Sequence, residues 1–166
     1  FKGQIIHPQH WPESLNYAGK KVVVIGSGAT AITLVPSMAA NGAQVTMLQR
    51  SPTYVMTVPS MDPLWSKLAR ILPLQAIYTA TRIRNIGLQR ALFAASRERP
   101  KVVKRMLRVL TRHQLGDKVD IKHFSPRYNP WDERMCVVPD SDLFRAIRKG
   151  KVSMVTDQID TFTETG

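Results

Sequence analysis

The sequence predicts an α/β protein, a parallel sheet with helices packed on it and a helical insertion over about residues 61–116. Three observations carry this expectation. Lys21 to Ile25 is short, β-branched and mostly apolar, the composition of a strand buried in a parallel sheet. It runs directly into Gly26-Ser27-Gly28-Ala29-Thr30-Ala31, a G-x-G-x-x-A turn, and then into a helix-forming stretch and a second apolar strand. Beyond Gln49-Arg50-Ser51-Pro52 the apolar spacing changes to a helical period. Together these describe a Rossmann-like domain carrying an insertion.

Taken in order, residues 13–20 read as a loop leading into the first strand. Ala29 to Ala40 reads as a helix ended by Asn41-Gly42, with Pro36 expected to kink it or shorten its last turns. Ala43 to Leu48 is the second strand and completes a β-α-β unit of about 30 residues. In the insertion, Met61, Leu64, Trp65, Leu68 and Leu72 share one helical face. Val103, Met106, Leu107 and Leu110 share another, with Lys101, Lys104, Arg105, Arg108 and Arg112 on its far side. Pro73 and Pro100 divide the insertion into two or three helices, Gly87 is a weaker interruption, and Gly116 is a stop. From Phe124 to Arg134 the chain reads as irregular. Asp142 to Arg148 should be a short helix, Val152 to Val155 a third parallel strand, and Asp157 to Phe162 the start of a β-excursion.

Composition bounds the rest. At 166 residues the chain is about one domain, and 43% apolar residues describe an ordinary globular protein. No apolar run reaches the ~18–20 residues of a membrane span. The first residues lack a basic segment followed by an apolar one, so no secretion signal is expected. The lone Cys136 cannot form an internal disulfide, which fits a reducing, cytoplasmic setting, and its apolar neighbours suggest a half-buried thiol. The net charge is +12, and residues 60–125 supply most of it, with fourteen Lys or Arg against Asp62, Glu98, Asp117 and Asp120. Such asymmetry raises nucleic acid or an anionic membrane surface as partners. Few aromatic residues interleave with the charges, so nucleic acid is not expected. A weak membrane-surface contact through Trp65, Leu68, Ile71, Leu72, Ile77 and Tyr78 stays open.

The glycine turn carries the chemistry. Gly26 allows the tight strand-to-helix reversal, Gly28 lets backbone approach a diphosphate, and Ala31 permits close helix–strand packing. Ser27, Ala29 and Thr30 complete the turn, and the helix start adds unpaired amides and the positive end of its dipole. The end of the second strand selects the coenzyme. An NAD domain places a carboxylate there for the ribose hydroxyls, but no carboxylate lies between Gly26 and Ser51. Arg50, twenty-four residues after Gly26, can grip a 2′-phosphate bidentately, and Ser51 can donate a hydroxyl. NADPH is therefore expected rather than NADH. The plainer reading of Arg50 is a solvated strand-end arginine.

One further motif precedes the turn. Phe1-Lys2-Gly3-Gln4-Ile5-Ile6-His7-Pro8-Gln9-His10-Trp11-Pro12 reads F-x-G-x-x-x-H-x-x-x-W-P. It resembles the linker signature of the Baeyer–Villiger type of class B flavin-dependent monooxygenases. In that family an FAD-binding domain is split around an NADPH-binding one. The resemblance implies that residues 1–19 are an inter-domain linker carrying Phe1, Gly3, His7, Trp11 and Pro12. Residues 20–60 and 117–166 would be the NADPH-binding domain and 61–116 its helical insertion, with the FAD domain outside this chain. It implies that Arg134 is the catalytic arginine held over the flavin, acting as NADPH, FAD and O2 together oxidise a ketone through a flavin peroxide. An ion pair with Asp132 or Asp140 is the plainer role for Arg134. Glu133 stands where many relatives carry lysine.

Neighbouring readings remain. A heteroatom substrate would suit the same chemistry, with nitrogen or sulfur hydroxylated instead. A disulfide reductase would also pair FAD with NADPH, but the long motif argues against it. A metal at His7-x-x-His10 lacks further ligands, so none is expected. Without its flavin half the chain is expected to be inactive, and its helical insertion to be free to associate with a second copy.

Overall fold

The computed structural model describes all residues except Arg70 and Lys118, and gives no side-chain description for Pro63, Leu64 and Ser66. Leu64, placed on the first helical stripe from sequence, therefore lies outside the described side chains.

Among the described residues five strands and five helices follow one another: β1 Lys21–Ile25, α1 Ala29–Ala40, β2 Gln44–Gln49, β3 Tyr54–Val58, α2 Pro63–Leu68, α3 Leu74–Glu98, α4 Pro100–Leu115, β4 Met135–Pro139, α5 Asp142–Arg148 and β5 Val152–Thr156. Short 3₁₀ turns occupy Pro8–His10 and Ile121–Phe124. β1, β2 and β5 form a parallel sheet in that spatial order, with Val22 beside Val45 and Val45 beside Val152. The shared register puts Val45, Met47 and Val152 on one buried face, packed against α1 and α5 through Val35, Leu143, Phe144 and Ile147. On the other face Val23 and Ile25 are exposed.

The first unit forms where the sequence places it, and α1 runs through Pro36 to Ala40 without being shortened. Pro36 is buried there as part of the apolar face. Gly42, at φ +92, supplies the left-handed residue that lets the chain leave the helix. The insertion holds three helices, α2, α3 and α4. Gly87 does not interrupt α3, which is 25 residues long; one interior glycine costs only about 1 kcal/mol. Gly116 ends α4 at φ +65.

Other expectations are corrected. α4 buries Val103, Leu107, Thr111 and Leu115, whereas Met106 and Leu110 are exposed. The neighbours of α4 are α3, β3, α5 and the 121–124 turn, and they select a stripe one step round from the one expected. Ile77 is buried, at 2% exposure, so it is not part of an outer apolar surface. A second parallel sheet pairs β3 with β4, Tyr54 standing beside Met135, in a region where no strands were expected. Asp157 to Phe162 forms no strand and is exposed. Among the described residues no helix is long and apolar enough to cross a membrane.

Candidate functional site at the glycine turn

β1, β2 and β5 are parallel, so their C-terminal ends lie on one edge of the sheet, and the G-x-G-x-x-A turn leaves from that edge. Gly26 has φ +126, a conformation that side-chain-bearing residues rarely adopt. Its N–H donates to Leu48 O at 2.8 Å, tying the turn to the end of β2. Gly28 is the residue before α1, with extended backbone at φ −78 and ψ 179, and its carbonyl accepts the first helical bond from Ile32 N at 3.1 Å. No side chain caps the start of α1, so its first amides remain available to an anion. Ala31 is buried against the sheet, while Ala29 and Thr30 are exposed at the helix start.

Ser27 faces inward. Its hydroxyl lies 3.1 Å from the Thr53 hydroxyl, and its carbonyl accepts a weak bond from Cys136 Sγ at 3.7 Å. Thr53 precedes β3 and Cys136 lies on β4, so the second sheet buttresses the turn. Neither contact was legible beforehand, because both depend on strands that the sequence did not reveal. Cys136 is buried rather than half-buried; burial pushes its thiol pKa up, and the nearby Arg134 charge only partly opposes this.

Arg134 occupies the last loop position before β4, and the short helix α5 follows that strand. Its guanidinium is the group beside Gly28: a Cβ on that glycine would sit 3.9 Å from Arg134 Nη1. The ion pairs expected as its plainer role are not formed. Asp132 Oδ1 binds Arg97 Nη1 at 3.0 Å, and Asp140 accepts from the Ser60 backbone at 3.0 Å and from the Ser60 hydroxyl. Those Ser60 bonds hold the Asp140 carboxyl below its usual range. Among the described residues Arg134 makes no ion pair.

Arg50 and Ser51 follow β2 directly and are exposed. Gln49, before them, is buried; its amide donates to His123 O at 2.7 Å and to the Thr156 hydroxyl at 2.8 Å. This anchors the strand end from which Arg50 projects. The fold thus gathers Gly26, Ser27, Gly28, Ala29, Thr30, Ala31 and Arg134 around one turn, with Arg50 and Ser51 at the neighbouring strand end.

The N-terminal motif residues Phe1, Gly3, His7, Trp11 and Pro12 make no contact with this group among the described residues. Phe1 is exposed and its ring covers Gly3, so that a Cβ on Gly3 would collide with it. His7 Nδ1 accepts from Gln9 N at 3.4 Å, and Trp11, 37% exposed, meets Tyr17 edge-on at 6.0 Å. Pro12 is partly exposed.

The turn and its flanking strands have clear counterparts. The model of the family described as flavin-binding monooxygenase-like matches residues 1–166. The chain is 59% identical over 167 residues to the probable FAD-binding monooxygenase AlmA of Acinetobacter baylyi, covering all of this chain and 34% of that protein. It is 55% identical over 168 residues to the FAD-containing monooxygenase EthA of Mycobacterium tuberculosis, again covering all of this chain and 34% of the relative. The chain therefore spans about a third of the length of these relatives. Among solved structures it is similar in fold to a cyclohexanone monooxygenase in an open form, with TM-score 0.65, 19% identity, and coverage of 94% of this chain and 37% of that one. An oxidized steroid monooxygenase bound to NADP gives TM-score 0.64 at 19% identity, covering 94% of this chain and 36% of that one. A parallel sheet, a glycine turn and a match along its whole length agree: the chain belongs to the flavin-binding monooxygenase-like family.

Proposed function

We propose that this chain is the NADPH-binding part of an FAD-dependent monooxygenase that inserts one oxygen atom of O2 beside a ketone carbonyl. The observation that carries the reading is the unpaired Arg134 guanidinium facing the Gly28 backbone. A coenzyme diphosphate entering between them would meet amide N–H groups on one side and a fixed cation on the other. Gly28 suits such a ligand because it leaves the backbone uncovered. Arg50 suits the 2′-phosphate, since it is exposed and makes no ion pair among the described residues.

FAD, held by polypeptide outside this chain, would supply the activation of O2. This chain's residues would do the rest: the turn orients the coenzyme, Arg50 selects it, and Arg134 supplies a guanidinium cation. A permanent cation at that place stabilises negative charge gathering on oxygen during transfer. The chain alone would bind coenzyme weakly and oxygenate nothing.

In the full-length protein, Arg134→Ala should weaken NADPH binding and abolish oxygenated product, while saturating NADPH still reduces the flavin. Undiminished product would reject the role. Oxidation of nitrogen or sulfur is the second reading. The relatives of higher identity carry names that state only a monooxygenase, while the ketone-named neighbours are 19% identical. Supplying isotopically labelled O2 with a cyclic ketone in one reaction and a thioether in another separates the two by which product gains mass.

A further inference from the structure

Arg134 is exposed, yet the loop that delivers it is tethered at several points, and most tethers come from the helical insertion. On α4, Lys104 Nζ donates to Arg127 O at 3.1 Å and to Tyr128 O at 3.4 Å. On α3, Arg97 pairs with Asp132 at 3.0 Å, and the Phe93 ring meets Trp131 edge-on at 6.0 Å. From β3, the Tyr54 hydroxyl donates to Tyr128 O at 2.9 Å, and the two tyrosine rings stack edge-to-face at 5.4 Å. Tyr128 then completes the chain of contacts, its hydroxyl donating to Arg134 O at 3.1 Å. Inside the loop Asp132 closes a turn: its N–H donates to Asn129 O at 3.0 Å, and its carboxylate accepts from Asn129 N at 3.3 Å.

Trp131 shows what these tethers hold in place. It sits at φ +69, in the left-handed region that a bulky aromatic residue avoids. Such a conformation persists only where surrounding contacts over-determine it, and it commonly marks a segment held for a purpose. Pro130, fully buried, fixes the residue before it. The basic charge of α3 and α4 thereby gains a partial account: Arg97 and Lys104 are spent on the loop's carboxylate and carbonyls.

We infer that the helical insertion is a brace for the Arg134 loop, with Arg97, Lys104 and Tyr128 as positioning residues that set how the guanidinium meets the glycine turn. The inference rests on the proposed role of Arg134 and adds to it a function for the insertion. A loop free of these tethers would let Arg134 leave Gly28 without disturbing β1, α1 or β2.

The test uses the full-length protein with Arg97→Ala and Lys104→Ala, and Arg90→Ala as the control. Arg90 lies on α3, carries the same charge and has no partner on the loop among the described residues. Amide exchange over residues 131–135 should rise about fivefold in each tether variant, the scale of one lost exposed ion pair for Arg97 or one lost charged hydrogen bond for Lys104, while exchange in α1 stays unchanged. Product formed per NADPH consumed should fall, with the rate of flavin reduction unaltered. Arg97→Lys should recover part of both, and Arg90→Ala should move neither. Unchanged loop exchange, or a control that matches the tether variants, overturns the brace. If Arg134→Ala loses product but the tether variants keep it, positioning by the helices is refuted. If Arg134→Ala itself keeps product, the role of Arg134 fails first and the brace has nothing to position.

Discussion

Gly26→Ala and Gly28→Ala should separate folding from coenzyme binding at two glycines only two residues apart. At Gly26 an added Cβ would meet no atom within 4 Å, so space is not the obstacle. The obstacle is φ +126, which a side-chain-bearing residue adopts at a cost of about 1–3 kcal/mol. If the backbone relaxed instead, the 2.8 Å bond from Gly26 N to Leu48 O would weaken, at a net cost of about 1 kcal/mol. Either route lowers stability. With a urea slope of about 1–3 kcal/mol per M, the unfolding midpoint should drop by about 1 M at constant slope.

At Gly28 the backbone is extended and the nearest atom would lie 3.9 Å away, ordinary van der Waals contact. Alanine there should change stability by less than about 1 kcal/mol, because the unfolded chain's smaller freedom offsets the loss of a glycine that suits the helix cap. The new methyl group would nonetheless project between backbone and Arg134, where the diphosphate is proposed to lie. Urea unfolding and NADP⁺ titration of both full-length variants provide the assay. Equal destabilisation by the two substitutions, or full NADP⁺ affinity in Gly28→Ala, would refute the reasoning.

Other consequences can be checked alongside. Phe144, fully buried against Phe124 at 5.4 Å between rings, should lose about 3–5 kcal/mol of stability as Phe144→Ala, read as a urea midpoint shift. A loss below 1 kcal/mol would contradict its place in the core. Burial, aided by Tyr128 and Asp132, pushes the Tyr54 pKa up to about 12, above the ordinary value of 10.0. Ionisation is thus harder in the fold than in the unfolded chain, so stability is complete below pH 10 and declines between pH 10 and 12. A Tyr54→Phe variant should flatten that decline, and an equal decline in the variant would exclude Tyr54 as its source. Burial chiefly holds His123 below its usual 6.5, with its ring 2.7 Å from the Thr156 hydroxyl. Its contribution is therefore complete above pH 6.5 and lost as pH falls through the lowered folded value. His123→Gln should remove that part of the acid sensitivity; unchanged sensitivity would refute the assignment.

The sequence made the first β-α-β unit legible because its signals are local. Lys21 to Ile25 is a short, mostly apolar run, the glycines stand at the turn, and Asn41-Gly42 closes the helix. β3 and β4 are five-residue segments separated by the whole insertion, and each gains identity as a strand only by pairing with the other. Local pattern therefore could not reveal Thr53 or Cys136 as supports of the turn. α4 failed differently: both its stripes have helical spacing, and only its tertiary neighbours, α3, β3, α5 and the 121–124 turn, decide that Thr111 is buried and Met106 is not. Arg134 was singled out by a likeness to a family motif, but its place beside Gly28 was not legible. Nor were Tyr54 and Tyr128, whose roles arise from contacts to backbone carbonyls that no side-chain pattern encodes.

The central claim is that the glycine turn holds a coenzyme diphosphate while Arg50 recognises the 2′-phosphate. Calorimetric titration of the full-length protein with NADP⁺ and with NAD⁺, before and after Arg50→Ala, tests it most directly. NADP⁺ should bind more tightly by at least about tenfold, the scale of one charge-assisted phosphate contact. The substitution should erase that difference and leave NAD⁺ affinity as it was. An NADP⁺ preference that survives Arg50→Ala would contradict the account.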